Sequence, residues 1–245
     1  MVEGKRLTSY SLYRRWRPQQ FAEVISQAYT AKTLQNAVAK ERLHHAYLFA
    51  GPRGTGKTSV ARIFAKAVNC ERPHQGEPCN ECPTCQRINR GISLDVIEID
   101  GASNRGIDQI RQLRTEVNFV PAETRYKVYI IDEVHMLTNE AFNALLKTLE
   151  EPPRRVIFIF ATTEPWKLPP TVASRCQGFE FKNIHPELIE GKLREISRNE
   201  GIEASSQALR AIARRAKGSL RDAEVLLEQL SSYKGEGRIE EEDLL

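Results

Sequence analysis

The sequence predicts an α/β protein in which a parallel sheet covered by helices is followed by a smaller domain of three helices. Two observations support this prediction. Short apolar runs alternate with amphipathic stretches up to residue 181, and no strand-like run occurs after that point. Alternation of strand and helix predicts a parallel sheet, because parallel neighbours need a crossover connection. A chain of 245 residues is long enough for one or two domains.

Four segments are predicted as buried strands. They are short, rich in β-branched and aromatic residues, and not strictly alternating, which is typical of strands covered on both faces. The predicted strands are Ala46–Ala50, Val96–Ile99, Val128–Ile131 and Val156–Ala161.

Helical segments separate these strands and make up the C-terminal part. Apolar residues recur three or four apart, as Phe142, Leu145 and Leu149 do. The six predicted helices are Ser59–Val68, Ile107–Val117, Asn139–Glu150, Pro186–Glu200, Ser205–Ala216 and Ser219–Leu230. Near Phe181–Ile184 the sequence changes from alternating strand and helix patterns to helix patterns alone. The predicted domains are therefore residues 1–182, with an insert at 70–90, and residues 183–245.

Composition excludes several classes of protein. Hydrophobic residues make up 40% and charged residues 28%, which argues against a disordered or fibrous chain. No apolar run approaches a membrane span, and the N-terminus lacks the apolar region of a secretory signal. We therefore expect a cytoplasmic protein without a membrane partner.

The net charge of +4 does not by itself indicate nucleic-acid binding. The basic residues near the N-terminus could contact phosphate or form a solvated arm: Lys5, Arg6, Arg14, Arg15 and Arg17.

Residues 51–58 fit the phosphate-loop pattern G-x-x-x-x-G-K-[ST]. The loop follows a predicted strand and precedes a predicted helix, so its backbone N–H groups and the helix dipole would face an anion. Lys57 is predicted to reach the β- and γ-phosphates, and Thr58 to bind Mg²⁺. The alternative is a glycine-rich turn that binds nothing, and the strand–loop–helix context argues against it. The predicted nucleotide-binding residues here are Gly51, Pro52, Arg53, Gly54, Thr55, Gly56, Lys57, Thr58 and Ser59.

Polar residues follow two of the predicted strands. Asp132 and Glu133 come directly after Val128–Ile131, at the strand end where ligands bind in open α/β sheets. Asp132 is predicted to hold Mg²⁺ and Glu133 to polarise the attacking water. The alternative is two solvated acids. Thr163 follows the next strand, where its hydroxyl could contact the γ-phosphate or position water, although threonines commonly end strands.

Four of the five cysteines lie within sixteen residues and follow the spacing C-x₈-C-x₂-C-x₂-C. Two-residue gaps let neighbouring thiolates converge on one tetrahedral ion, and four ligands leave no open position. A structural Zn²⁺ site is therefore predicted, with reduced buried thiols or an iron–sulfur cluster as alternatives. The predicted ligands are Cys70, Cys79, Cys82 and Cys85. Cys176 stands apart and is predicted to be a small core residue.

Arg221 occupies an unusual position near the start of the last predicted helix. Ser219 is a plausible N-cap for that helix, so Arg221 lies in its first turn, where the macrodipole disfavours a cation. The residue is therefore interpreted as facing phosphate, or as a solvent-exposed arginine.

Together these motifs resemble those of AAA+ ATPases with a RecA-like domain, and more narrowly those of the gamma/tau subunits of the bacterial DNA polymerase III clamp loader. The resemblance covers nearly the whole chain, and the cysteine insert after the phosphate-loop helix is its most specific part. The resembling segments are Trp16–Gln19, His44–Phe49, Gly51–Thr58, the four-cysteine insert, Ile131–Leu137, Asn143–Pro153, Ser174–Cys176 and Gly218–Ala223.

The resemblance implies further roles for individual residues. Thr163 would be the sensor-1 residue, Arg175 the arginine finger that reaches the ATP site of an adjacent subunit, and Arg221 the sensor-2 residue of the lid. Adenine and ribose would pack against the region of Tyr13, Arg17 and Ile25.

The resemblance also implies the function and the partners. We expect an ATPase that couples binding and hydrolysis of Mg²⁺-ATP to loading of a sliding clamp on primed DNA. Its partners would be other clamp-loader subunits in a hetero-pentamer, the sliding clamp and primer–template DNA. The family's C-terminal collar domain has no counterpart in this sequence. Ser103–Gly106 and Thr171 are candidates for DNA contact, although N-capping explains Ser103 and Thr171 equally well. The alternatives are another AAA+ loader motor or a structural subunit that does not hydrolyse ATP.

Overall fold

The computed structural model describes residues 11–104, 107–235 and 237–244. Lys5 and Arg6 of the basic N-terminal stretch lie outside these residues, as do Arg105 and Gly106 among the candidates for DNA contact. The described residues form two compact units. The sheet unit is Pro18–Lys182, and the helical unit consists of residues 11–17 and 183–244. The sequence predicts residues 11–17 as part of the first domain, whereas in the structure they group with the second unit.

A five-stranded parallel sheet forms the centre of the sheet unit, which confirms the predicted α/β class. The strands are β1 (Ala46–Ala50), β2 (Val96–Asp100), β3 (Lys127–Asp132), β4 (Val156–Thr162) and β5 (Gln177–Glu180). Their order in the sheet is β2-β3-β4-β1-β5. The strand β4 therefore lies between β1, which precedes the phosphate loop, and β3, which precedes Glu133. The edge strand β5 was not predicted. It has four residues, of which only Phe179 is buried, so its sequence carries no apolar run.

Both faces of the strands β1, β3 and β4 are buried, and alternate residues of each enter opposite cores. Tyr47 and Phe49 of β1 pack in one core, whereas Leu48 packs in the other. Ile157 and Phe158 of β4 divide in the same way. Because each such side chain contributes roughly 1.5–3 kcal/mol when fully buried, the two cores fix the position of the strand ends that carry the polar motifs. The prediction of a buried strand at Val96–Ile99 was wrong in one respect, because β2 is an edge strand with no buried residue.

Ten helices surround the sheet or form the helical unit among the described residues. The helices are α1 (Leu12–Arg15), α2 (Ala28–Ala39), α3 (Lys57–Asn69), α4 (Pro83–Arg90), α5 (Ile107–Glu116), α6 (Asn139–Glu150), α7 (Pro170–Ala173), α8 (Pro186–Glu200), α9 (Ser206–Arg215) and α10 (Leu220–Lys234). All six predicted helices are present with small shifts at their ends, and α7 begins where Pro170 and Thr171 suggest the start of a short helix. The sequence did not predict α1, α2 and α4. None of the helices in the described part of the chain has the length and apolar character needed to cross a membrane.

Candidate nucleotide and metal sites

The loop between β1 and α3 has a backbone conformation that requires glycine. Gly51 has a φ of +150°, and a Cβ atom there would lie 2.2 Å from the carbonyl oxygen of Phe181. Gly56 has a φ of +98° and directly precedes α3. A side chain at either position would strain the backbone. The loop therefore leads directly into the N-terminus of α3, where unpaired N–H groups and the helix dipole favour an anion.

Lys57 begins α3 and is 6% exposed. Its Nζ donates hydrogen bonds of 2.8 Å to the carbonyl oxygens of Gly51 and Pro52, so the ammonium group is held across the loop. Burial lowers the pKa of Lys57, whereas the nearby charges of Glu133 and Asp132 act to raise it. The sheet unit thus places a buried cation beside both carboxylates, at the position predicted to contact phosphate.

Thr58 and Asp132 meet across the sheet, although 74 residues separate them in sequence. The Thr58 hydroxyl donates a 2.7 Å hydrogen bond to Oδ2 of Asp132, and Oδ1 of Asp132 accepts one of 2.9 Å from the Glu133 N–H. Hydroxyl and carboxylate oxygens are the ligands that Mg²⁺ prefers. This pair beside the phosphate loop fits the magnesium site expected from the sequence.

Glu133 adopts the left-handed conformation, with a φ of +45°. For a residue other than glycine, this backbone costs roughly 1–3 kcal/mol and is often found at functional sites. One of its carboxylate oxygens, Oε2, accepts a 3.0 Å hydrogen bond from the Thr163 hydroxyl. The structure therefore brings Glu133, which is predicted to polarise water, into contact with Thr163, which follows the neighbouring strand.

Sequence reasoning missed His135, which joins this cluster. The side chain of His135 is 5% exposed, and its Nδ1 lies 3.0 Å from the Thr162 hydroxyl oxygen and 3.4 Å from Oε2 of Glu133. Its Nε2 lies 3.0 Å from a carboxylate oxygen of Glu164. The only signal in the sequence was the position of His135 two residues after Glu133, and nothing there indicated that its ring would link the ends of β3 and β4.

Arg175 follows the short helix α7 and is held within its own unit. Its Nη2 donates a 2.7 Å hydrogen bond to Oε1 of Glu150, and its Nη1 donates one of 2.6 Å to the carbonyl oxygen of Thr171. Glu150 ends α6 and was another residue that sequence reasoning missed. The role of Arg175 as an arginine finger stays a prediction.

The Arg221 guanidinium lies over the ring of Tyr13, 4.5 Å from its centroid, within the helical unit. Arg221 is in the first turn of α10, as predicted, and Ser219 caps this helix by accepting a hydrogen bond from the Asp222 N–H. Arg17 belongs to the same unit, whereas Ile25 belongs to the sheet unit. The nucleotide contacts assigned to Arg221, Tyr13, Arg17 and Ile25 stay predictions.

The candidates for DNA contact have partners within the chain. The Ser103 hydroxyl donates a 2.6 Å hydrogen bond to Asp100, and the Asn104 side-chain amide donates one of 3.0 Å to the Asp100 carbonyl oxygen. The Thr171 carbonyl oxygen accepts from both Ser174 and Arg175. The role of Ser103–Gly106 and Thr171 in DNA contact stays a prediction.

The four cysteines of the insert converge, and their Sγ atoms all lie within 4.8 Å of one another. None of them forms a disulfide. Backbone N–H groups of Cys79, Cys82 and Cys85 donate hydrogen bonds of 3.3–3.4 Å to the Sγ atom of the preceding cysteine of the set. Four thiolates around Zn²⁺ at 2.3 Å require sulfur atoms about 3.8 Å apart, so this cluster fits a tetrahedral zinc ion.

Cys176 lies outside the cluster and is half-buried. Its Sγ donates to the Val172 carbonyl oxygen, and burial raises its pKa to about 12. A thiol of this kind is unreactive at neutral pH.

The insert is tied to the rest of the sheet unit by polar contacts. The Glu77 carboxylate accepts hydrogen bonds of 2.8 and 3.0 Å from the N–H groups of Phe21 and Ala22. Lys66, which is 1% exposed, donates from Nζ to Asn80 of the insert and to Gln19. Burial lowers the pKa of Lys66 to about 8. The insert is thus part of the unit's packing and not a projecting arm.

Comparison with protein families gives two matches along the chain. A family model described as DNA polymerase III, delta subunit, matches residues 26–185. A second, described as DNA polymerase III clamp loader subunit, ATPase lid domain, matches residues 188–233.

Among curated proteins, the chain is similar to DNA polymerase III tau and gamma subunits. It is 56% identical over 226 residues to subunit tau of Bacillus subtilis, with 92% of this chain and 40% of that protein covered. It is 48% identical over 228 residues to subunit tau of Escherichia coli, covering 93% and 35%. Subunit gamma of Buchnera aphidicola from Schizaphis graminum is 46% identical over 217 residues, with 89% and 60% covered. The chain therefore spans less than two thirds of each of these relatives.

Among solved structures, the chain resembles the Holliday junction branch migration motor RuvB of Thermotoga maritima. The TM-score is 0.68 at 21% identity, covering 94% of this chain and 70% of that one. At this identity the likeness concerns the fold alone, and it confirms the predicted RecA-like phosphate-loop fold.

Proposed function

The chain belongs to the family of DNA polymerase III clamp-loader subunits, which are AAA+ ATPases, and we propose that it is the ATP-binding and ATP-hydrolysing part of such a subunit. The observation that carries this proposal is the contact between Thr58 and Asp132 beside the buried Lys57. A protein that kept only the scaffold would not need a hydroxyl, a carboxylate and an ammonium group at one edge of the sheet.

In the proposed reaction, backbone N–H groups of residues 51–58 and the Lys57 ammonium bind the triphosphate. Thr58 and Asp132 would hold Mg²⁺, which neutralises charge on the phosphate oxygens when it is bound. Glu133 orients the attacking water and accepts its proton, and the Thr163 hydroxyl positions the Glu133 carboxylate. These roles agree with the hydrogen bonds among the same residues.

Two arginines would complete the site. Arg175 would act on the nucleotide of an adjacent subunit, where such an arginine contributes about 10³–10⁵ in rate. Arg221 would contact bound nucleotide from the helical unit and couple binding to closure of this lid. Hydrolysis by the separate chain should therefore be slow.

We further propose that Cys70, Cys79, Cys82 and Cys85 bind a structural Zn²⁺. The convergence of their Sγ atoms and the hydrogen bonds that join the insert to the sheet unit support a role in folding. In the whole protein, the subunit would assemble with other clamp-loader subunits and act on a sliding clamp and primer–template DNA. A replication role of this kind is the basis for expecting the protein in the cytoplasm.

Steady-state phosphate release with Mg²⁺-ATP tests the proposal. Lys57→Ala should reduce release to the background rate, because the buried ammonium next to the loop is lost. Lys40→Ala serves as the matched control, since Lys40 is exposed at the end of α2. Its rate should equal that of the parent chain.

Calorimetry separates the rival functions. A structural subunit would bind ATP in the calorimeter but would show no phosphate release that depends on Lys57. This result would have to hold both for this chain and for the full clamp-loader assembly. Release that survives Lys57→Ala would refute the ATPase assignment. Arg175→Ala should reduce release only in the assembly, and an equal loss in the separate chain would contradict its action on a neighbouring subunit.

A further inference from the structure

A cavity of about 480 Å³ lies within the helical unit, and nothing in the proposed ATPase reaction uses it. We call it the arginine cavity. It is formed by α8, the start of α9, the loop between them and the segment around residue 238. Its polar lining residues are Arg194, Ser197, Arg198, Glu203, Ser206 and Arg238.

The cavity lining is basic, with three arginines against one glutamate. Arg194 gives one 2.6 Å hydrogen bond to Glu190, and the Nε of Arg238 lies 3.3 Å from a carboxylate oxygen of Glu240. Arg198 is exposed and forms no ion pair with any residue in the described ranges. A guanidinium has five N–H donors, so each of the three keeps donors available for a further ligand.

Two further features of the lining favour an anion. Ser197 is 6% exposed, and its hydroxyl has no hydrogen-bond partner among the described residues. A buried hydroxyl without a partner costs roughly 1–3 kcal/mol, a cost that rotation of this side chain toward an acceptor in the cavity would remove. Ser206 is the first residue of α9, so the positive end of this ten-residue helix lies at the cavity.

We infer that the arginine cavity binds a phosphate group. A guanidinium can donate two parallel hydrogen bonds to two oxygens of one phosphate group, and the Ser197 hydroxyl and the start of α9 add uncharged donors. The group could belong to a free phosphorylated small molecule or to a nucleic-acid backbone. The apolar residue Ile202 also lines the cavity, and its methyl groups can report on occupancy.

Methyl NMR of the whole chain labelled at isoleucine tests this inference. The phosphate loop is first saturated with Mg²⁺ and a non-hydrolysable ATP analogue, so that it cannot take up the probe. Inorganic phosphate is then titrated, and the Ile202 signal, assigned with Ile202→Val, is followed. We expect a saturable shift. No saturable shift up to tens of millimolar phosphate would overturn the inference.

Variants locate the binding site. Arg198→Ala should weaken phosphate binding about tenfold, as loss of one charge-assisted hydrogen bond predicts. Ser197→Ala should also weaken it. Arg214→Ala is the matched control, because Arg214 is an exposed arginine of α9 outside the cavity. Equal binding by Arg198→Ala and the parent, or equal weakening by Arg214→Ala, would show that phosphate binds elsewhere.

Two further titrations distinguish the sources of the phosphate group. AMP that shifts Ile202 at lower concentration than inorganic phosphate, with no shift from adenosine, would identify a phosphorylated small molecule. A short single-stranded DNA that acts at lower concentration than AMP, in an Arg198-dependent way, would identify a nucleic-acid backbone. A shift with adenosine equal to that with AMP would contradict recognition of phosphate.

Discussion

Glu224→Gln should stabilise the helical unit at neutral pH and remove part of its pH dependence. Glu224 lies in α10 and is 4% exposed. Burial raises the pKa of its carboxyl from 4.5 to about 8, the attraction of Lys192 offsets only part of this effect, and the charge of Glu228 adds to it. The folded protein therefore holds Glu224 in its neutral form at pH 7.

The sign and size of the effect follow from proton linkage. Between pH 4.5 and about 8, the folded state keeps the proton of Glu224 while the unfolded chain has lost it. The free energy of unfolding therefore falls as the pH rises through this range, by roughly 2–3 kcal/mol from pH 5 to pH 7. Glutamine is neutral at every pH. Glu224→Gln should thus be more stable than the parent by about 3 kcal/mol at pH 7 and about equal to it at pH 4.

Urea unfolding followed by the fluorescence of Trp16 measures this difference. Trp16 belongs to the helical unit, where its Nε1 donates a 2.9 Å hydrogen bond to Glu200. The second tryptophan, the exposed Trp166, is replaced by phenylalanine in all samples. Glu242→Gln, at an exposed position, is the control. The reasoning fails if Glu224→Gln is less stable than the parent at pH 7, or if its advantage does not shrink toward pH 4.

Three further predictions follow from the sheet unit. Gly51→Ala should lower the free energy of unfolding by about 2–4 kcal/mol in urea titrations, because its Cβ would lie 2.2 Å from a backbone carbonyl oxygen. Gly191→Ala in α8 of the helical unit is the control; nothing lies within 4 Å of the added Cβ, so this change should raise the free energy of unfolding slightly. Cys85→Ser should lower both the zinc content by atomic absorption and the melting temperature, whereas Cys176→Ser should leave the zinc content unchanged. Thr163→Val should lower kcat for phosphate release about tenfold with little change in KM, and a change in KM alone would instead indicate a contact with ground-state ATP.

Local patterns in the sequence were sufficient to predict the elements that carry the chemistry. The phosphate loop could be identified because its glycines and Lys57 occur at fixed spacing between an apolar run and a helical stretch. The strands β1, β3 and β4 could be identified because both their faces are apolar. The strand β2 could be identified from its β-branched residues Val96, Ile97 and Ile99, although none of its residues is buried. In contrast, β5 has one buried residue, Phe179, and no pattern in its own sequence distinguishes it from a loop. Its position depends on pairing with β1.

The sequence by itself determined the α/β class, the phosphate loop and the set of four cysteines, because these depend on residues close together in the chain. The tertiary structure alone decided which distant side chains meet. Parallel pairing of β3 and β4 places Glu133 beside Thr163 and brings in His135, and the sheet order brings Thr58 to Asp132. The arginine cavity also exists only because α8, α9 and the segment at residue 238 pack together. Contacts of this kind depend on register and packing between elements, which local spacing does not encode.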